Sequence, residues 1–225
     1  MTEISTTNAA LSEHLLDTMP GFASACDTAK RQQIMEGARR VFLQDGFDGA
    51  SIGDIVRAAG VSKGTLYAYF PSKEKLFEAL IVEDRRKQAE AVFTLEENDQ
   101  DVAHVLRRLG NTFLDMLLSP ANLDFLRIVV GASTKFPQLG KVFYEAGPCH
   151  GANRLASYFR SLTERGILSV EDPQLAARQF LELCKTGIHI RMMLGDRTAP
   201  TSEEIERNLD GAIKVFLAAY GRRQP

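Results

Sequence analysis

Between residues 62 and 73 the chain sets out Ser62, Lys63, Gly64 and Thr65 in succession, then Tyr67, Tyr69 and Lys73. These side chains donate hydrogen bonds or carry positive charge, a chemistry suited to phosphate oxygens and base edges. At the start of a helix, Ser62 to Thr65 would add free backbone amides and the positive end of the helix dipole. Gly64 has no Cβ and lets its backbone approach a partner closely. The hydroxyls of Tyr67 and Tyr69 can reach phosphates.

Other chemistries lack their constellations. Gly60 to Thr65 (GVSKGT) has the glycines of a phosphate loop, but Gly64 separates the Lys from the Ser/Thr and no strand precedes it. His14, His104, His150 and His189 form no H-x-x-x-H pair. Cys149 and His150 are neighbours, and Cys184 and His189 are five apart, so neither pair shares a helix face. No metal and no cofactor is expected. No G-x-S-x-G or paired-carboxylate signature appears, and nothing basic surrounds a cysteine to activate it.

The elements that would position these groups read as helices. Ile34, Ala38, Val41 and Phe42 form one stripe of a helix over about Lys30 to Gln44, with Gly46 as a left-handed stop. Ser51 caps a short helix that runs to Ala59 and ends at Gly60, with Asp54 in the place of a capping acid. Ser62 caps a third helix, ended by Pro71, and Ser72 opens a long fourth, from Ser72 to about Glu96. Ile52, Ile55, Ala59, Val61 and Leu66 are spaced to close a small core between the second and third. That arrangement is a helix-turn-helix, whose second helix enters a DNA major groove. Past the polar junction Asn98 to Asp101, helices are expected over 101–118, 121–135, 138–165, 172–194 and 202–220, separated by Pro and Gly breaks. The expected class is all-α.

Composition agrees. Of 225 residues, 44% are hydrophobic and 25% charged, an ordinary globular balance, and no apolar run could span a membrane. Three scattered cysteines (Cys26, Cys149, Cys184) suit a reducing cytoplasm better than a disulfide framework. Net charge is -2, yet residues 29–87 carry +3, against -4 for 1–28 and -1 for 88–225. Residues 1–28 read as a disordered acidic arm without the basic start of a secretory signal, 29–75 as the helix-turn-helix unit, and 76–225 as a larger helical domain.

The stretch from Arg31 to Leu80, with IMEGARRVFLQDGFDGAS followed by IGDIVRAAGVSKGTLYAYFPSKEKLFEAL, resembles the TetR family of bacterial transcriptional regulators. The segments FPQLGKVFYEAGPCHGANRLASYF and LAARQFLEL resemble AcrR-like members with an AefR-like last domain. The resemblance implies a repressor that binds a palindromic operator in double-stranded DNA as a homodimer and is released by a small, lipophilic effector. It implies base or groove contacts from Ser62, Lys63, Gly64, Thr65 and Tyr67, and phosphate anchors at Lys30, Arg31, Ser51, Tyr69 and Lys73. A pocket in the second domain is implied too, with Phe113, Met116, Leu117, Phe125, Phe143, Tyr144, His189 and Met192 as candidate lining. The homodimer would form through helices 172–194 and 202–220, whose apolar residues include Ala176, Phe180, Leu183, Gly187 and Ile190, and Ile205, Leu209, Ala212, Ile213, Phe216 and Tyr220. Read from the residues alone, a helical binding module or an α-scaffold enzyme with an incidental helix-turn-helix stays open.

Overall fold

The computed structural model describes residues 25–93, 101–196 and 198–222. The expected arm therefore lies almost wholly outside the described residues, as does most of the polar junction 98–101. Where it is described it differs: residues 25–28 already belong to the first helix.

Eleven α-helices are described: α1 Ala25–Gly49, α2 Ile52–Ala59, α3 Lys63–Tyr69, α4 Lys73–Val92, α5 Val102–Leu118, α6 Pro120–Ser133, α7 Pro137–Tyr144, α8 His150–Glu164, α9 Pro173–Lys185, α10 Ile188–Met193 and α11 Ser202–Tyr220. An isolated bridge between Leu168 and Gly221 is the strand-like pairing found among the described residues. The caps fall where the sequence puts them. Ser51, Ser62 and Ser72 each accept the amide three residues on, satisfying an N–H that the helix leaves unpaired. Gly60 ends α2 in the left-handed region (φ 63°, ψ 39°). Gly46 also has positive φ (70°), but its ψ of 179° is extended, so the chain swerves and takes one more turn before α2.

Two expected helices are interrupted. Pro148 has no amide to donate within 138–165, and the column widens into a π turn, Glu145–Cys149, between α7 and α8. Gly187 (φ 75°) breaks 172–194 into α9 and α10. About half of the apolar residues named for 172–194 and 202–220 turn inwards rather than towards a partner, while Ile190 is exposed and Leu183, Ile205 and Tyr220 are half-buried. Ala176, Phe180, Leu209, Ala212, Ile213 and Phe216 are buried in the subunit's own core.

Two hydrophobic clusters organise the chain. The first gathers Phe42, Phe47 and Phe77, with ring centroids 4.7–5.8 Å apart, under the helix-turn-helix. It reaches past residue 75 to Ile81 and takes in Phe125, Val129 and Ala132 of α6. The second packs Phe159, Phe180 and Tyr220 around Phe216, each pair adding about 0.5–1.5 kcal/mol beyond its burial. Helix α4 serves both: Leu76, Phe77, Leu80 and Ile81 lie in the first cluster, Ala89 and Val92 in the second.

Close approach of α1 to α2 depends on Gly37, where an added Cβ would lie 2.6 Å from the backbone of Ala59. Gly131, exposed on α6, meets nothing within 4 Å. Gly37→Ala is therefore expected to cost about 1–3 kcal/mol by prising the helices apart. Gly131→Ala should gain about 0.5–1 kcal/mol from helix propensity. Urea unfolding of both variants checks the pair, and equal effects would refute the packing account.

Candidate functional site

The helix-turn-helix is held from behind by α1. Gln33 Nε2 donates to the Ala59 carbonyl (2.7 Å) and an Arg40 guanidinium nitrogen to that of Ala58 (2.5 Å), satisfying carbonyls at the end of α2. Ile55 of α2 and Leu66 of α3 are fully buried between the helices. Asp54 takes a hydrogen bond from the Ser51 hydroxyl, which holds its carboxyl below the usual range, and pairs with Arg57 at 2.9 Å.

With Leu66 facing inwards, α3 turns Lys63, Gly64 and Tyr67 to solvent. Tyr67 is 42% exposed and the Lys63 ammonium lies 5.9 Å above its ring. A Cβ at Gly64 would touch nothing closer than 3.8 Å, so the protein's own packing does not require glycine there. Ser62 Oγ accepts the Thr65 amide and lies 2.8 Å from its hydroxyl.

The expected phosphate anchors divide. Ser51 is exposed at the start of α2 and Lys30 is half-buried, donating to Gln33 (2.8 Å). Tyr69 donates its hydroxyl to Asp27 (2.8 Å). Arg31 sits 3.6 Å from Glu83 with its guanidinium over Phe70, 5.4 Å from the ring centroid. Lys73 turns inwards, donating to the carbonyls of Phe47 (2.7 Å) and Ala50 (2.9 Å) with its ammonium 4.6 Å from the centre of the Phe47 ring. Arg31 and Lys73 thus brace the unit that presents α3.

A cavity of about 430 Å³ opens behind the second half of α4, walled by α5 to α10 and the π turn. Of the candidate lining residues, Phe113, Met116, Leu117, Phe143, Tyr144 and His189 border it. Phe125 and Met192 do not. On α6 the cavity side carries Asn122 and Leu126, while Phe125 turns to Phe77 (5.6 Å) in the first cluster. On α10 the break at Gly187 resets the helix phase, so His189 lines the cavity and Met192 is buried in the second cluster. Sequence reasoning missed Arg85, Gln88 and Asn122, which line the cavity. Arg85 is 5% exposed; its guanidinium donates to Asn122 Oδ1 (2.8 Å) and Asp84 Oδ2 (2.6 Å) and lies 4.7 Å from the Phe143 ring centroid. Burial lowers its pKa, and Asp84 opposes the shift. Asp84 Oδ1 is also 2.7 Å from Arg39 of α1.

Burial likewise lowers the pKa of His189, leaving it a neutral imidazole near neutral pH. Burial pushes the Cys184 thiol up to about 12, so it stays protonated and inert. Among the described residues no group of three or more His, Cys, Asp or Glu could hold a metal, and no helix is long and apolar enough to cross a membrane.

A reading helix presented at one place and a walled cavity at another, joined by one long helix, define a DNA-binding transcriptional regulator. Residues 34–80 match the profile of bacterial regulatory proteins of the tetR family, and residues 104–222 that of the C-terminal domain of AefR-like transcriptional repressors. The chain belongs to the TetR family. It is 28% identical to the HTH-type transcriptional repressor AcnR of Corynebacterium glutamicum, over 83% of this chain and 94% of that protein. A TetR-family regulator from Mesorhizobium loti superposes with a TM-score of 0.81 at 29% identity, covering 87% of this chain and 98% of that one. The flavonoid-responsive regulator FrrA does so with a TM-score of 0.77 at 34% identity, covering 88% and 100%. These relatives are regulators, not enzymes.

Two consequences can be measured. Lys73→Ala leaves two carbonyls without their charged donor and should cost about 1–3 kcal/mol in chemical unfolding. Full stability after that change would contradict the bracing role. His189 is the second. Its folded pKa is lowered, so its contribution is complete above the unfolded value near 6.5 and is lost as pH falls below it. The melting temperature should drop between about pH 7.5 and about pH 5.5, and less steeply in His189→Gln. Parallel curves would rule out His189 as a source of the slope.

Proposed function

We propose that the protein is a cytoplasmic repressor that binds a palindromic operator as a homodimer and lets go when a small effector fills the cavity. The observation that carries this reading is the outward face of α3. Ser62, Lys63, Gly64 and Tyr67 are exposed together on a helix whose other side is anchored by Leu66, with Thr65 half-buried beside them. Lys63 and Gly64 lie in its first turn, where free amides and the dipole favour a phosphate or base acceptor. Ser51, Lys30 and Tyr69 are the phosphate contacts this reading retains.

For the homodimer, helices α9 and α11 offer a different set from the apolar stripe of the sequence. On α11 the exposed residues Gly211, Val215, Ala218 and Ala219 recur at helical spacing, and Gly211 has nothing within 4 Å. On α9 Leu175 is 43% exposed, with Gln179 exposed and Leu183 half-buried beyond it. Small and apolar groups at that spacing let two copies of α11 pack closely. A two-fold dimer would place its α3 helices about 34–36 Å apart, one DNA turn. For the effector, aromatic and methionine walls suit a flat lipophilic compound, and the likeness to a flavonoid-responsive regulator points the same way.

The test is a gel shift on the DNA upstream of the protein's own gene across a salt series. Binding should weaken steeply as salt rises. Lys63→Ala should lose about 1–3 kcal/mol of specific affinity. Gly64→Ala is the sharper probe: it should leave thermal stability intact or raise it slightly, yet weaken operator binding by roughly tenfold. Wild-type affinity in both folded variants would overturn the assignment of α3, and a monomer in light scattering would overturn the dimer.

A further inference from the structure

The cavity wall is mostly apolar, but part of it is charged and incompletely paired. Arg85 is 5% exposed, and among the described residues its Nε has no hydrogen-bond partner. Gln88 Oε1 and His189 Nε2, also in the wall, are buried and unpartnered in the same way. The charged side chains lining the cavity are Arg85, Arg178 and Lys185 against Glu182, and Lys185 already donates to Glu182 (2.5 Å). Asp84 pairs Arg85 from behind the wall at 2.6 Å, so the excess is one positive charge, at Arg178.

A wholly apolar ligand would seal these polar atoms, the Arg85 Nε–H donor and the Gln88 Oε1 acceptor among them, away from water with nothing to satisfy them. An oxyanion on an aromatic body accepts from the unpartnered Arg85 Nε–H and competes with Asp84 for its charge, while the ring takes the apolar wall beside Phe113 and Phe143. A hydroxyl elsewhere on the ligand would supply the donor that Gln88 Oε1 lacks. We infer that the cavity selects small aromatic oxyanions, bound through Arg85, and that Asp84 reports their arrival to α1. Asp84 is suited to that part because its two oxygens hold Arg85 at 2.6 Å and Arg39 of α1 at 2.7 Å. Helix α1 in turn holds α2 through Gln33 and Arg40. An anion at Arg85 competes with Asp84 for one guanidinium, and the Arg39 contact is the direct route from that competition to the DNA-reading unit. The inference rests on the reading of the cavity as the effector site.

Two matched pairs test it by calorimetry and thermal shift at about pH 8: 4-hydroxycinnamate against its methyl ester, and 4-nitrophenolate against 4-nitroanisole. The anion of at least one pair should bind the full-length protein at least tenfold more tightly than its neutral partner. The pair that shows the preference says whether a carboxylate or a phenolate is read. Arg85→Met keeps the stem that packs against Gly147 and should abolish the preference. Arg85→Lys guards against misfolding of that variant; it keeps the charge but loses the fork and should retain only part of the preference. Equal binding within both pairs, or an undiminished preference in the folded Arg85 variants, overturns the inference. Esters and ethers that bind as well as the anions leave the cavity as effector site and remove its charge selection. Failure of every probe and of a neutral lipophilic library removes both. For the relay, Asp84→Asn should still bind the anion, yet release operator DNA several-fold less on titration. Release equal to wild type overturns the role of Asp84.

Discussion

Phe77 and Val92 lie on one unbroken helix, and each is sealed into a different hydrophobic cluster. Everything else in the molecule is arranged around that constraint. Because α4 is continuous, the cluster under the reading helix and the cluster beside the cavity share one rigid member. Neither half of α4 can tilt without disturbing side chains that have no room to follow. At the waist between the two clusters the stripe along α4 turns polar, and Arg85 occupies the position an aliphatic residue would otherwise take. A buried guanidinium is costly unless paired, and the pairing runs outwards in both directions, to Asn122 on α6 and through Asp84 to Arg39 on α1. The polar waist thus ties three helices together at the one level where apolar packing does not.

The charge economy of the DNA-reading unit follows a similar logic. Its small net positive charge looks inadequate for nucleic acid when counted along the chain. In space, several cations serve the interior of the unit: Lys73 stitches the swerve after Gly46 to the start of α4, and Arg31 covers Phe70. Those side chains give α3 a fixed pose, with Lys63 turned to solvent at its start.

Much of this was legible in the sequence because caps and amphipathic stripes are local. A serine three residues before a free amide needs no tertiary context, and Ser51, Ser62 and Ser72 behave accordingly. What escaped depends on partners distant in sequence. Arg85 sits in the charged run Glu83 to Lys87, where residue type alone does not single it out. The signal that could have found it is spacing, since Phe77, Ile81, Arg85 and Ala89 recur every four residues on one buried side. Gly187 fitted the apolar stripe of 172–194 because a glycine inside a helix is tolerated, and its positive φ becomes visible only in three dimensions. Leu209, Ala212, Ile213 and Phe216 form a convincing stripe, but no periodicity says whether the surface that covers it belongs to the same chain or to another. Phe125 and Met192 had the right chemistry for the cavity and the wrong helical phase.

Phase also explains the shape of the cavity wall at the π turn. One α turn and one π turn together take up about eight residues, a whole number where two α turns would not. Residues eight apart across Glu145–Cys149 therefore return to the same bearing. Phe143 and Gly151 fall on one line, Tyr144 and Ala152 on the next, with Gly147 and Pro148 between them, and all six line the cavity. The result is a straight double-width strip, bulky at its aromatic end and thin at its glycine end. Along that strip the wall changes from large aromatic groups to none, within two turns of one helical column.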